Sequence, residues 1–243
     1  MAPAAVRRRL TWQRAEVVQV ARESARATRL TLAPPDWPGH VPGQHLDVRL
    51  TAEDGYAAQR SYSIASPPRP AYVELVVERL PDGEVSLYLT EVLVPGDLLE
   101  LRGPIGGYFV QPDGGAPVQL IAGGSGVVPF LSMLGHHRAG DGDVRLLYSA
   151  RTDVDLIGRA ELAQADGAVH VTLTRGAPAG WSGLTGRVDA AMLAAVTVPP
   201  ARDPRVLVCG PTGFVEAVAR ELVGLGHPPE QIRTERFGST GGT

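Results

Sequence analysis

Between residues 11 and 110 apolar and polar positions alternate in short runs. Thr28-Arg29-Leu30-Thr31-Leu32 and His45-Leu46-Asp47-Val48-Arg49-Leu50 keep the two-residue period most cleanly, and residues 15–20, 72–78 and 98–101 add segments of the same kind. This is the period of a strand with one face buried. Turn pairs such as Pro38-Gly39, Asp54-Gly55, Pro81-Asp82-Gly83 and Pro95-Gly96 separate the runs. Short strands so punctuated predict an antiparallel barrel or sandwich. Only residues 85–93 have helical spacing in this half, and Pro95-Gly96 stops them. After residue 115 the rhythm changes. Apolar strands are predicted at 118–122, 145–148, 169–173 and 205–209, with helices at 127–137, 156–165 and 214–225. Strands alternating with helices predict a doubly wound parallel sheet, which binds ligands beyond the carboxyl ends of its strands. The expected division is residues 1–113 and 114–243.

Composition narrows the function. The 243 residues suit two domains, and 44% hydrophobic with 20% charged residues excludes a disordered or fibrous chain. No apolar run is long enough to span a membrane. A net charge of −3 argues against a nucleic-acid binder held by bulk positive charge. The one cysteine, Cys209, cannot form an intrachain disulfide or supply four thiolates to an iron–sulfur cluster. All 23 basic residues are arginine, a compositional bias that leaves phosphate contacts from cationic side chains to the planar guanidinium. MAPAAVRRRL lacks the apolar stretch of a secretory signal, so a cytoplasmic location is expected. Arg7-Arg8-Arg9 reads as a solvated arm, with docking of an acidic protein as the alternative. His40 and His45 lack a third ligand at metal spacing, and no metal site is expected.

Four clusters carry candidate chemistry. Arg60-Ser61-Tyr62-Ser63 closes a barrel strand and suits a flat, phosphorylated ligand: a guanidinium for pyrophosphate, a ring for stacking, hydroxyls for ring heteroatoms. The same residues also suit an exposed edge strand. Gly83-Glu84-Val85-Ser86 opens the barrel's helix, where free backbone N–H groups either meet an anion or are simply capped. Gly123-Gly124-Ser125-Gly126-Val127-Val128-Pro129 joins the first α/β strand to its helix; the glycines let backbone approach a phosphate, and proline suits the first helical turn. Cys209-Gly210-Pro211 ends a strand at the ligand crevice, although a free cysteine is more often a small buried hydrophobe.

Taken in order, R-S-Y-S, G-E-V-S, G-G-S-G-V-V-P, C-G-P and a closing Glu-Arg-Phe resemble the ferredoxin–NADP⁺ reductase family, from about Trp12 to Phe237. The resemblance implies an antiparallel β-barrel domain that holds FAD, followed by an α/β domain that holds the nicotinamide nucleotide. It places Arg60, Ser61, Tyr62 and Ser63 on the flavin and its phosphates, with Val76, Val77 and Glu78 alongside. Gly83, Val85 and Ser86 would receive the pyrophosphate. Gly124, Ser125 and Gly126 would lie between flavin and nicotinamide, and Cys209, Gly210 and Pro211 near the nicotinamide. Glu235 and Phe237 match the family's carboxylate and covering aromatic, which here is followed by residues 238–243 rather than ending the chain. Ser63, Cys209, Glu235 and Phe237 are the expected catalytic residues.

The implied reaction passes hydride from nicotinamide to flavin, then single electrons to a separate acceptor, a ferredoxin or similar carrier on another chain. Arg151, Arg175 and Arg187 fall where NADP-using relatives place phosphate-binding arginines, so NADPH is expected ahead of NADH. A free-flavin or ferric-complex reductase, or a nucleotide-binding interaction module without redox function, are the alternatives. A monomer is expected.

Overall fold

The computed structural model describes residues 10–69, 71–111, 115–137, 142–165 and 168–237. Six strands make the first sheet: β1 (Gln13–Arg22), β2 (Ala27–Ala33), β3 (His45–Thr51), β4 (Ala57–Ser63), β5 (Val73–Glu78) and β6 (Leu98–Ile105). Their order is β4-β3-β6-β1-β2-β5, antiparallel throughout. A bridge between Ile64 and Leu75 brings the two edges together, so the sheet closes into a barrel. Inward residues follow the two-residue period: Leu30 and Leu32, Leu46 and Val48, Leu75 and Val77, Leu99 and Leu101 fill one core. The helix predicted before Pro95 is present as α1 (Glu84–Leu87), continued by a π-helical turn at Tyr88–Val92. It drops Val85, Leu89 and Leu93 into that core.

The second sheet holds β7 (Val118–Gly123), β8 (Val144–Thr152), β9 (Ala168–Gly176), β10 (Leu184–Thr185), β11 (Arg205–Pro211) and β12 (Ile232–Phe237). All are parallel, in the order β10-β9-β8-β7-β11-β12. Helix α2 (Val128–His136) and α3 (Arg159–Gln164) belong to one face, α4 (Ala190–Val196) and α5 (Thr212–Gly224) to the other. Every residue of β7 is buried, as a central strand covered on both sides requires. Helix α3 begins later than predicted because the chain first makes a turn at Asp153–Asp155 and a left-handed step at Gly158. The boundary expected at residues 113 and 114 lies outside the described residues.

The outer face of β2 and β5 docks on the α/β domain. Ala27, Ala65, Val76 and Phe109 share one core cluster with Leu120, Val127, Phe130 and Leu131. Polar contacts fix the register of this seam. Arg29 on β2 pairs with Glu23 at 2.7 Å, Glu74 at 2.9 Å and, across the seam, Glu161 of α3 at 2.6 Å. Glu23 also accepts the Gly158 N–H at 2.7 Å, and Ala25 N–H donates to the Val154 carbonyl at 3.0 Å. The Ser132 hydroxyl of α2 donates to the Ser66 carbonyl at 2.7 Å. Burial alone would push Glu23 up, but the Arg29 guanidinium and the Gly158 N–H outweigh it and hold the carboxyl below the usual range.

Replacing Arg29 by alanine leaves three carboxylates facing one another without a cation. Arg29→Ala is expected to lower unfolding free energy by about 3 kcal/mol at pH 7. Because the folded-state pKa of Glu23 is depressed, this contribution is present above the unfolded glutamate pKa and fades as pH falls through the folded value. Urea denaturation of both proteins from pH 7 to pH 3 checks it; the gap should narrow toward acid.

Candidate active site

The α/β sheet changes direction between β7 and β11, with β8, β9 and β10 on one side and β12 on the other. Such a switch point opens a crevice at the carboxyl ends of the strands. Here β7 runs into a 3₁₀ turn at Gly124–Val127 and then α2, with Pro129 in its first turn as expected. A Cβ on Gly126 would run into the Cys209 carbonyl, so only glycine lets the two strand ends meet. Gly124 has φ +56° with open space above it.

The barrel completes the crevice. Residues of β5 alternate, so Leu75 and Val77 face the barrel core, while Val76 meets the α/β domain. Glu78 reaches the seam and accepts a hydrogen bond from the Ser125 hydroxyl at 2.7 Å. Between the domains lies a cleft of about 200 Å³. Of the residues singled out from sequence it gathers Glu78, Gly124, Ser125, Arg151, Pro211 and Phe237. It does not gather Ser63, Gly126, Cys209, Gly210 or Glu235, nor Arg175 and Arg187, which are exposed at the ends of β9 and β10. The Gly186 N–H donates to the Leu173 carbonyl at 2.9 Å, which holds the Arg187 segment beside β9.

Register sets the neighbours of Cys209. In the β11–β12 pairing Cys209 stands opposite Glu235, Gly210 opposite Arg236 and Pro211 opposite Phe237. Burial pushes the Cys209 thiol well up, and the Glu235 carboxylate adds to the effect. Burial also raises Glu235, to about 7. A carboxyl so placed exchanges a proton near neutrality. Phe237, at the end of β12, packs on the interdomain core and lines the cleft.

The remaining candidates sit on the barrel. Ser61 faces outward and donates to Asp47 at 2.7 Å, beside the Asp47–Arg102 ion pair. Tyr62 packs on the barrel core, and burial pushes its phenol up to about 12. Ser63 is half-buried at the end of β4. Arg60 is exposed and donates only to the carbonyl of its neighbour Gln59, among the described residues. At the start of α1 the Ser86 hydroxyl donates to the Gly83 carbonyl at 2.9 Å and accepts from the Leu80 N–H at 3.2 Å, which fixes the loop. The first N–H groups of a helix have no partner within it, and at the start of α1 these belong to Glu84, Val85 and Ser86. A rim cation, a ring on the core edge, a helix start and open space over Gly124 fit a flavin dinucleotide.

The cleft also contains residues the sequence did not single out: Ser24, Arg26, Asp155 and Thr174 among them. Ser149 and Ala150 precede Arg151 in β8 and were legible as its neighbours; Arg26 carries no local signal, since it reaches the cleft only when the two domains dock. Among the described residues no group of His, Cys, Asp and Glu could hold a metal ion, and no helix is long and apolar enough to cross a membrane.

A flavin-type barrel joined to a nucleotide-type sheet, with a crevice at their seam, defines a two-domain flavin and pyridine-nucleotide oxidoreductase. Residues 15–109 match the oxidoreductase FAD-binding domain family, and residues 120–220 the oxidoreductase NAD-binding domain family. A glycine betaine monooxygenase reductase subunit of Chromohalobacter salexigens is 35% identical over 82% of this chain; the chain spans 56% of that relative. NADH-cytochrome b5 reductase 1 of Aspergillus terreus is 32% identical over 80% of this chain and 70% of its own length. The flavohem-like FAD/NAD-binding domain of a nitric oxide dioxygenase from Vibrio cholerae superposes with a TM-score of 0.81 at 26% identity, covering 93% of this chain and 98% of that one. The chain belongs to the ferredoxin–NADP⁺ reductase family and is an NAD(P)H-dependent flavoprotein reductase.

The raised Glu235 carboxyl has a measurable sign. Its folded-state pKa lies above the unfolded value, so the native state loses stability as pH climbs from the usual glutamate range to about 7. Glu235→Gln is expected to remove this slope. Denaturation of both proteins at pH 5 and pH 8 checks it: a pH-independent difference between them would show that Glu235 is not held protonated.

Proposed function

We propose that this protein takes hydride from NADPH onto bound FAD and passes single electrons to a separate acceptor on another chain, a ferredoxin or similar carrier. The observation that carries this reading is the seam cleft, where Glu78 of the barrel and Gly124, Ser125, Pro211 and Phe237 of the α/β domain converge. FAD supplies the conversion between a two-electron donor and a one-electron acceptor. Arg60 and the start of α1 would bind its phosphates, and Tyr62 and Ser63 would orient its ring. Gly124, which carries no side chain and has open space beside it, would leave room for the ring. Phe237 excludes water from the resting site and yields to nicotinamide. Ser63, at the end of β4, would offer the ring a hydroxyl. Glu235, with a pKa near neutrality, holds or gives up a proton beside Cys209.

The choice of NADPH rests on Arg151 in the cleft and on Arg175 and Arg187 at the adjoining strand ends. The relative named as an NADH-cytochrome b5 reductase points the other way, so the nucleotide is settled by kinetics. A separate acceptor is supported by relatives named as a reductase subunit and as a cytochrome b5 reductase. The cytoplasm is the proposed location.

Purified protein should be yellow, bleach with NADPH in the absence of oxygen, and reduce a ferredoxin faster than free flavin or ferric chelates. Tyr62→Ala is expected to lower FAD retention, read from the flavin-to-protein absorbance ratio. Arg175→Ala should lower kcat/KM for NADPH roughly 10-fold and leave NADH unchanged; equal discrimination in mutant and wild type would remove Arg175 from this role.

A further inference from the structure

Three arginines surround the hairpin between β1 and β2, and two of them are used internally. Arg22 donates to the carbonyls of Ser24 at 3.0 Å and Ala25 at 2.7 Å. Arg29 is committed to the glutamates of the seam. Arg26 is different: its backbone is fixed but its guanidinium is not. The Arg79 N–H donates to its carbonyl at 2.8 Å, and its own N–H donates to the Ser24 hydroxyl at 3.3 Å. The hairpin is tied to the opposite domain by the Ala25–Val154 bond. Arg26 therefore stands on the barrel wall of the cleft, and Arg151 on the α/β wall. Among the described residues neither guanidinium has a hydrogen bond or ion pair.

The acids of the same cleft accept hydrogen bonds from neutral neighbours and form no ion pair with either arginine among the described residues. Asp155 accepts the Thr152 hydroxyl at 2.6 Å and the Thr152 N–H at 3.2 Å. Glu78 accepts Ser125. Two guanidinia, one on each wall of the cleft and neither committed to a hydrogen bond or ion pair among the described residues, make a site for an anion with several acceptor oxygens.

We infer that Arg26 and Arg151 together grip a phosphoryl group of the pyridine nucleotide across the domain seam, so that the flavin-binding domain itself takes part in nucleotide recognition. This rests on the function proposed above. The phosphoryl group has two sources, the bridging pyrophosphate common to NAD⁺ and NADP⁺ and the 2′-phosphate of NADP⁺ alone.

Calorimetric titration of the flavin-loaded protein with NADP⁺ and with NAD⁺ tests the assignment without turnover. Arg26→Ala is expected to weaken NADP⁺ binding roughly 10- to 100-fold, with partial recovery in Arg26→Lys. The flavin spectrum and Tm should stay at wild-type values, because among the described residues the Arg26 guanidinium makes no hydrogen bond or ion pair. Loss for NADP⁺ alone supports the 2′-phosphate as the gripped group, and loss for both nucleotides supports the pyrophosphate. One shared phosphate also requires the Arg26→Ala/Arg151→Ala double variant to lose less than the product of the single losses. Wild-type affinity of Arg26→Ala for both nucleotides, or strictly multiplicative losses, would overturn the shared grip while leaving the proposed function standing. A flavin-loaded wild type that binds neither nucleotide would overturn both.

Discussion

The arrangement of this molecule depends on one cation set among three carboxylates. Arg29 gathers Glu23 and Glu74 from the barrel and Glu161 from α3. Its side chain is 17% exposed, too little for water to screen the charges as it would on an open surface. The gain from such a cluster over an apolar seam is small, because desolvation offsets much of the attraction. Its specificity is larger. An apolar face tolerates sliding, whereas a guanidinium with three directed partners allows a single register. That register sets the cleft, because the same docking that joins Arg29 to Glu161 sets Glu78 against Ser125.

The apolar part of the seam does complementary work. Val76 and Ala27 belong to the same packed cluster as Phe130 and Leu131. The two domains are therefore not beads on a linker: each has a core of its own, and a third packed layer is shared. A site assembled from two folding units needs such a layer if its walls are to hold their spacing.

Much of this was legible along the chain. Clean alternation at residues 28–32 and 45–50 announced strands because one apolar face of each, Leu30 and Leu32 in the first and Leu46 and Val48 in the second, enters the barrel core. The α/β half was readable because its central strands are apolar on both faces. Elements at the margins were silent. Strand β12, with Ile232 as its one fully buried residue, lies at the sheet edge, and its sequence is mostly polar. Strand β4 was legible only at its carboxyl end, residues 60–63, because its earlier positions are mostly exposed and show little apolar alternation. The site followed the same division. Glycines and the Cys209 segment stand out because close backbone approach restricts residue choice. Val76, Val77 and Glu78 read as one stretch, yet strand alternation sends Val77 into the barrel core and Val76 to the seam. Arg26 could not be found in sequence, since Arg151 on the other wall of the cleft is 125 positions away and no spacing rule joins them.

The burial of Cys209, at 1% exposure, has a practical corollary. A sulfur enclosed by strand backbone and further deterred from ionising is a poor nucleophile. Maleimide reagents would thus find little to attack in the native fold, and this position needs no removal before site-directed labelling. A cysteine introduced at any exposed point would become the sole addressable thiol, ready to carry a spin label or an electrode tether that reports on traffic between the two halves.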